Sequence, residues 1–402
     1  MKKTISMLLL SAILFCSLIL PVYASDDEII GDNDIYNEAD GEMTDVGSIE
    51  LDAKSAILMD AETGTILFSK NPNAALPPAS VTKIMTLLLA AEAIQDGRIK
   101  LEQNVRVSEQ AASMGGSQIF LKEGEEFTVE ELLKSTVIAS ANDAATALAE
   151  LICGSESAFV DKMNKRASEL GMKNTHFENA TGLDDTTTNH LTSAYDIALM
   201  SRELIKHDCI LKYSNIWQDT IRNGEFTLTN TNRLVRYYQG CTGLKTGSTD
   251  KAGYCISATA KRDGMHLIAV IMGSSTRDKR NADARALLDY GFANYTVYND
   301  PECDLELIPV KRGSISATTA YTKPFSILID KSKAKDIEKI YSIPEFLNAP
   351  FGKDDVIGEI QYMLGDTVIG KTDIYTREES EELSFSDVIF MIFYTVMCGK
   401  TA

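Results

Sequence analysis

Closely spaced cysteines, clustered histidines and an excess of positive charge are what this 402-residue chain lacks. Its seven cysteines are scattered, with no Cys-x-x-Cys, which excludes a zinc ribbon or a thioredoxin-type redox motif. The four histidines, His176, His190, His207 and His266, show no metal-ligand spacing. No metal and no cofactor is expected, and no residue pattern points to a histidine-dependent triad. Only 39 Lys and Arg face 58 Asp and Glu, for a net charge of −19. Such a chain is a poor partner for nucleic acid or anionic lipid heads, and no basic patch argues otherwise. Internal repeats are absent too.

What is present begins with an export pattern. Lys2 and Lys3 precede an apolar run from Leu8 to Leu20, and Val22-Tyr-Ala24 supplies small residues for cleavage. Cys16 lacks the small residue expected just before a lipoprotein cysteine, so lipidation is not expected. Residues 26–45 carry nine acids and no base, the composition of a self-repelling disordered linker.

A globular pattern starts near Ser48. Lys54 to Met59 and Thr65 to Phe68 read as a β-hairpin around Asp60-Ala-Glu-Thr-Gly64. Pro77-Pro78-Ala79 opens a helix near Pro78 or Ala79 that is apolar all round from Ile84 to Ala93, hence buried. Thr128-x-x-Glu131 is a capping box for a helix that ends before Ser140. Further helices fit Ala144 to Cys153, Ala158 to Leu170, Ala194 to Lys206 and Ala282 to Gly291. Strand patterns return at Gly243 to Gly247, Gly253 to Ala260 and His266 to Met272, the last two joined by Lys261-Arg-Asp-Gly264. Strands on both sides of a helical middle predict an α+β domain on an antiparallel sheet. From Leu305 to Tyr375 the chain alternates in short β-type runs, enough for a small β-rich domain. It ends on Val388 to Cys398, eleven nearly apolar residues, too few to span a bilayer as a helix.

Three short words carry chemistry. In Ser80-Val-Thr-Lys83, helical spacing puts the serine and the lysine on one face. A serine hydroxyl needs something to take its proton, and an apolar setting favours neutral lysine. A second cation, Lys245, would lower the Lys83 pKa further. Ser140-Ala-Asn142 lies at a break between two helices, where Ser140 can relay a proton and Asn142 can hold a substrate amide. Lys245-Thr246-Gly247 ends a β-type run. Its glycine admits a ligand backbone to the strand edge, and Lys245 and Thr246 can attract a terminal carboxylate. Each word is weak alone: Ser-x-x-Lys recurs at Ser248 and Ser332, and Ser-x-Asn at Ser69.

Together and in this order they mark a serine acyl-transfer site. The stretch from about Ala53 to Tyr295 resembles the D-alanyl-D-alanine carboxypeptidases, low-molecular-weight penicillin-binding proteins. The resemblance implies a serine penicillin-binding/β-lactamase-like catalytic domain followed by an accessory β domain. It implies a nucleophile at Ser80, a general base at Lys83 and a second serine at Ser140, with substrate contacts from Asn142, Lys245, Thr246 and Gly247. It further implies an oxyanion hole from the Ser80 and Ser248 amides, and a carboxylate-binding arginine leading into a late helix, Arg280. Gly115-Gly-Ser-Gln118, Asn142-Asp-Ala-Ala145 and Gly182-Leu183 also look like the family. The family's basic amphipathic tail is not matched: here the tail is apolar nearly all round, with only Lys400 after it.

The expected organisation is a signal peptide (1–24), an acidic linker (25–47), a catalytic domain (48–297), a β-rich accessory domain (298–381) and an apolar tail (382–402), read as an interfacial membrane anchor. The expected activity is removal of the terminal D-alanine from peptidoglycan stem pentapeptides through an acyl-enzyme, blocked by β-lactams, outside the cytoplasm. The alternatives are a serine β-lactamase, for which Glu178-Asn179 lacks the Glu-x-x-x-Asn spacing, and a non-catalytic peptidoglycan or β-lactam binding module, against which the intact Ser80, Lys83 and Lys245 argue. Cys241 and Cys255 flank the third word and are expected as two buried free thiols rather than a disulfide.

Overall fold

The structure is a computed structural model that describes residues 49–185 and 187–398. The expected signal peptide and acidic linker lie outside the described residues. The chain divides into two units. Of the described residues, the first takes those up to Met59, then Phe68–Ala260 and Ile268–Arg285; the second takes Asp60–Leu67, Lys261–Leu267 and those from Ala286 on.

A five-stranded sheet underlies the site. Its order is Ile66–Lys70, Ser55–Asp60, Met265–Ser274, Gly253–Arg262, Cys241–Thr249, so the strand bearing Lys245-Thr-Gly247 is at an edge. The Gly253–Arg262 and Met265–Ser274 strands meet across Asp263 and Gly264, at φ 48° and 81°. Positive φ at both positions is what a type I′ turn demands, and Asp-Gly supplies it. Cys241–Thr249 runs antiparallel to Gly253–Arg262 in a register that sets Lys245 opposite Ser257 and Gly247 opposite Cys255.

The helices follow their sequence cues closely. Lys83–Gln95 buries Lys83 through Ala91 and Ala93, as its all-round apolar surface requires. Val129–Ile138 starts on a complete capping box: Thr128 Oγ1 accepts from the Glu131 amide, and the Glu131 carboxylate accepts from the Thr128 amide. Asn142–Cys153 ends at Gly154 in the left-handed conformation. Two expectations need correction. The turn carrying Ser80 is a separate 3-10 turn, Ala79–Thr82, ahead of the α-helix. The late helix spans Arg277–Asn294, so Arg280 lies inside it rather than ahead of it. Its charged first turn, Arg277-Asp-Lys-Arg280, has no apolar residue to reveal helical period. Two strand pairs were also not foreseen, Asn104–Arg106 with Glu126–Thr128 and Gln218–Ile221 with Phe226–Thr229.

The second unit is β-rich. It holds a six-stranded sheet and the two-stranded pair Tyr295–Asp300 with Phe325–Asp330. Ile308, Ala320, Leu347, Ile360, Tyr362 and Ile374 form its core. Its last described element, the helix Phe385–Cys398, leaves Phe385, Phe390 and Val396 strongly exposed. Among the described residues no helix is long and apolar enough to cross a membrane.

Candidate active site

Ser80 and Lys83 meet as the sequence spacing demands. Lys83 is fully buried, and its Nζ lies 2.9 Å from Ser80 Oγ and 2.8 Å from the Thr181 carbonyl oxygen. Burial drives the lysine pKa well below its usual value, and the nearby Lys245 cation pushes the same way; Asp143 opposes them. A neutral amine at this spot can donate to the Thr181 carbonyl while its lone pair accepts the Ser80 hydroxyl proton.

Several residues shape this corner. Ala79 is held at φ +47°. Gly182 packs under it so closely that an added Cβ would stand 1.9 Å from the Ala79 carbonyl oxygen. Asn179 organises the loop that delivers Thr181: its Oδ1 accepts from the Thr181 and Gly182 amides, and its Nδ2 donates to the Leu183 carbonyl. Asn179 and the Thr181 carbonyl were not singled out as site elements from sequence. The legible trace was Gly182-Leu183, together with an asparagine three residues ahead of a glycine, a turn-forming pattern.

Ser140 and Asn142 sit at the helix break, both buried, with Ser140 at φ +62°. The Lys83 hydrogen bonds go to Ser80 and Thr181, and Ser140 is not among their partners. The Asn142 backbone amide donates to the Ser117 carbonyl at 2.7 Å, and its Nδ2 donates to the Gly115 carbonyl at 2.7 Å. Its Oδ1 is enclosed and has no hydrogen-bond partner among the described residues. Asp143 ties the facing loop down, accepting from the backbone amides of Ile119, Leu121 and Ala144. Burial raises the Asp143 pKa, and these amides hold it down in part.

The edge strand completes the corner. Lys245 is buried and donates to the Thr246 carbonyl at 2.9 Å. Thr246 Oγ1 donates to Thr231 Oγ1 at 2.8 Å, and Asn232 Nδ2 donates to the Gly243 carbonyl at 2.9 Å, bracing the strand from behind. At Gly247 an added Cβ would lie 2.7 Å from the Ser80 backbone nitrogen. Only glycine lets the strand edge and the serine turn approach so closely. Ser248, the next residue, is exposed. Arg280 is buried, with Nε and Nη2 donating to Asn281 Oδ1. Its charge is felt at Cys255, which pairs with Gly247 across the sheet. Cys241 and Cys255 are both free thiols, each raised to about 11 by burial.

Two other groups are occupied elsewhere. Glu178 accepts from the Thr188 and Asn189 amides and so clamps its own loop. His190 Nδ1 accepts from the Glu178 amide, which leaves Nε2–H to donate to Thr82 Oγ1 at 2.7 Å. Burial holds the His190 pKa down at about 4.

Comparison with known proteins agrees with this geometry. A model of the D-alanyl-D-alanine carboxypeptidase family matches residues 42–276, and one of the penicillin-binding protein 5 C-terminal domain matches residues 303–382. The chain is 42% identical to D-alanyl-D-alanine carboxypeptidase DacF of Bacillus subtilis, over 87% of this chain and 91% of that protein. It is 33% identical to DacA of Escherichia coli K12, over 84% and 86%. Among solved structures, penicillin-binding protein 5 of Haemophilus influenzae matches with a TM-score of 0.68 at 30% identity, covering 84% of this chain and all (100%) of that one. The ampicillin-bound form of penicillin-binding protein D2 of Listeria monocytogenes matches with a TM-score of 0.57 at 31% identity, covering 61% and 100%. Family model, relatives and site geometry agree, and the chain belongs to the D-alanyl-D-alanine carboxypeptidase family.

Proposed function

We propose that this protein is a serine-type carboxypeptidase that releases the terminal D-alanine of peptides ending in D-Ala-D-Ala. One observation carries the reading: a fully buried lysine amine 2.9 Å from a serine hydroxyl, beside a glycine strand edge. Neutral Lys83 takes the proton of Ser80 as Oγ attacks the penultimate carbonyl. The Ser80 and Ser248 amides hold the oxyanion. Lys245, Thr246 and Arg280 take the terminal carboxylate, Gly247 admits the peptide to the strand edge, and Asn142 holds the amide ahead of the scissile bond. Ser140 relays that proton from Lys83 to the departing D-alanine nitrogen. The C–N bond breaks and an ester on Ser80 remains, which water then hydrolyses to free the shortened peptide. β-Lactams acylate the same serine and stay; ampicillin is bound in the Listeria relative.

The wider setting belongs to the same reading. Residues 1–24 direct export, 25–47 act as a spacer, 48–297 catalyse, 298–381 form the accessory domain and 382–402 attach to the membrane surface. The substrate, peptidoglycan stem peptides, lies outside the cytoplasm, which fits the apolar leader. Glu178 accepts from amides of its own loop, which speaks against its serving as a deacylating base of the β-lactamase kind. Incubation with a D-Ala-D-Ala peptide tests the proposal. Free D-alanine should accumulate with the natural protein and not with Ser80→Ala. Absence of release from the natural protein would end it.

A further inference from the structure

The loop that delivers the Thr181 carbonyl to Lys83 continues across the cleft to its other wall. Leu183 Cδ2 would lie 3.3 Å from a Cβ on Gly116, and Asn142 Nδ2 would lie 2.7 Å from the same point. One residue on, the Asp184 carbonyl accepts from Lys251 Nζ at 2.6 Å. Lys251 belongs to the turn that follows the Cys241–Thr249 strand. Asp184 therefore stands where the strand carrying Lys245-Thr-Gly247 ends, on the side of Asn142.

The direction of a bound peptide follows from the acyl-transfer reading above, on which this inference rests. With the terminal carboxylate at Lys245 and Thr246 and the scissile carbonyl between Ser80 and Ser248, the peptide runs antiparallel to the strand. Its N-terminal side leads past Ser248 towards Thr249 and the turn. At about 3.4 Å per extended residue, the residue ahead of D-Ala-D-Ala reaches the Thr249–Lys251 end.

The Asp184 side chain, whose charge is also felt at His190, has an unmet requirement. The residue is half-buried, and its Oδ2 is enclosed with no hydrogen-bond partner among the described residues. An enclosed carboxylate oxygen without a donor is unfavourable until one arrives. Lys251, the cation of the adjoining turn, donates to the Asp184 carbonyl instead. We propose that Asp184 is a specificity residue whose carboxylate takes the side-chain ammonium of a lysine-like diamino residue directly preceding D-Ala-D-Ala. Leu183 lies beside the path of that residue's methylene stem.

Two peptides test this: Nα-acetyl-L-Lys-D-Ala-D-Ala, with a free side-chain amine, and its Nα,Nε-diacetyl form. Their kcat/KM values for D-alanine release are compared on one preparation, so that any loss of folded enzyme cancels in the ratio. The natural protein should favour the free amine by about fivefold or more at low salt, and less at high salt. In Asp184→Asn the ratio should fall to near one, and Asp184→Glu should recover part of it. Equal use of both peptides by the natural protein, or an unchanged ratio in Asp184→Asn, overturns the inference. Release from neither peptide would instead overturn the carboxypeptidase reading beneath it.

Discussion

A Cβ on Gly247 would stand 2.7 Å from the Ser80 backbone nitrogen and 2.9 Å from that of Val81. The strand edge and the serine turn thus touch with no room for a side chain, and the proposed oxyanion pocket depends on their closeness. Gly247→Ala must push them apart. Acylation by penicillin should slow by about tenfold or more, towards the roughly hundredfold loss seen when one oxyanion donor is removed. Mass spectrometry of adduct formation over time measures this, with circular dichroism to show that the fold survives. Acylation at the natural rate would mean that the pocket lies elsewhere.

Lys83 should tolerate no permanently charged replacement. Lys83→Arg imposes a charge that cannot be lost at working pH, so penicillin should leave Ser80 unmodified. The same logic fixes a pH dependence. The Lys83 pKa is lowered, so the amine is a usable base above that folded-state value and is lost as pH falls through it. Lys245 is one of the two causes of that lowering. Replacing it with methionine should therefore move the acidic limb of the acylation profile to higher pH, whatever it does to carboxylate binding. A limb that stays in place or moves lower would show that Lys83 does not set it.

Asp143 is expected to matter through structure. Its carboxylate accepts from three backbone amides, two of them in the loop that faces Asn142. Asp143→Ala leaves those donors without their partner, a loss of about 2–4 kcal/mol for a charge-accepting cluster of this kind. Thermal unfolding should show the drop. Penicillin acylation should weaken too, because the Gly115 carbonyl and the Ser117 carbonyl that position Asn142 belong to the same loop. An unchanged melting temperature would contradict the anchoring role.

What the sequence made legible was the part of the site built on regular spacing. An i, i+3 pair on a helical turn brought Ser80 to Lys83, and a Gly-ended β-run put Lys245 on a strand. Less legible was whatever depends on long-range backbone geometry. The Thr181 carbonyl that anchors Lys83 is 98 residues away in sequence, and a carbonyl has no residue type to betray it. The 3-10 turn of Ser80 begins at the left-handed Ala79, which packs against Gly182, again a tertiary matter. Short polar strands such as Gln218–Ile221 escaped because they pair locally without an alternating apolar face. Cys241 and Cys255 flank the same strand word, yet the register sets Cys241 against Ala260 and Cys255 against Gly247, so they never face each other.

The tail gives the last prediction. Phe385–Cys398 is one helix of 14 residues, about 21 Å long against a hydrocarbon core of about 30 Å. Its apolar side chains are exposed, with Phe385 81%, Phe390 70% and Val396 76% accessible, an arrangement that water disfavours. A segment too short to span and too apolar to remain in water suits the boundary between headgroups and acyl chains. Removing residues 385–402 should release the protein from membranes and leave D-alanine release intact, since no residue of the proposed site lies there. Attachment should survive a high-salt wash, because the segment contains one lysine, Lys400, with which to attract lipid heads. Fractionation of full-length and shortened protein, with and without the wash, decides both points. Full-length protein found wholly in the soluble fraction, or activity lost on shortening, would make the helix part of the folded protein's own packing instead.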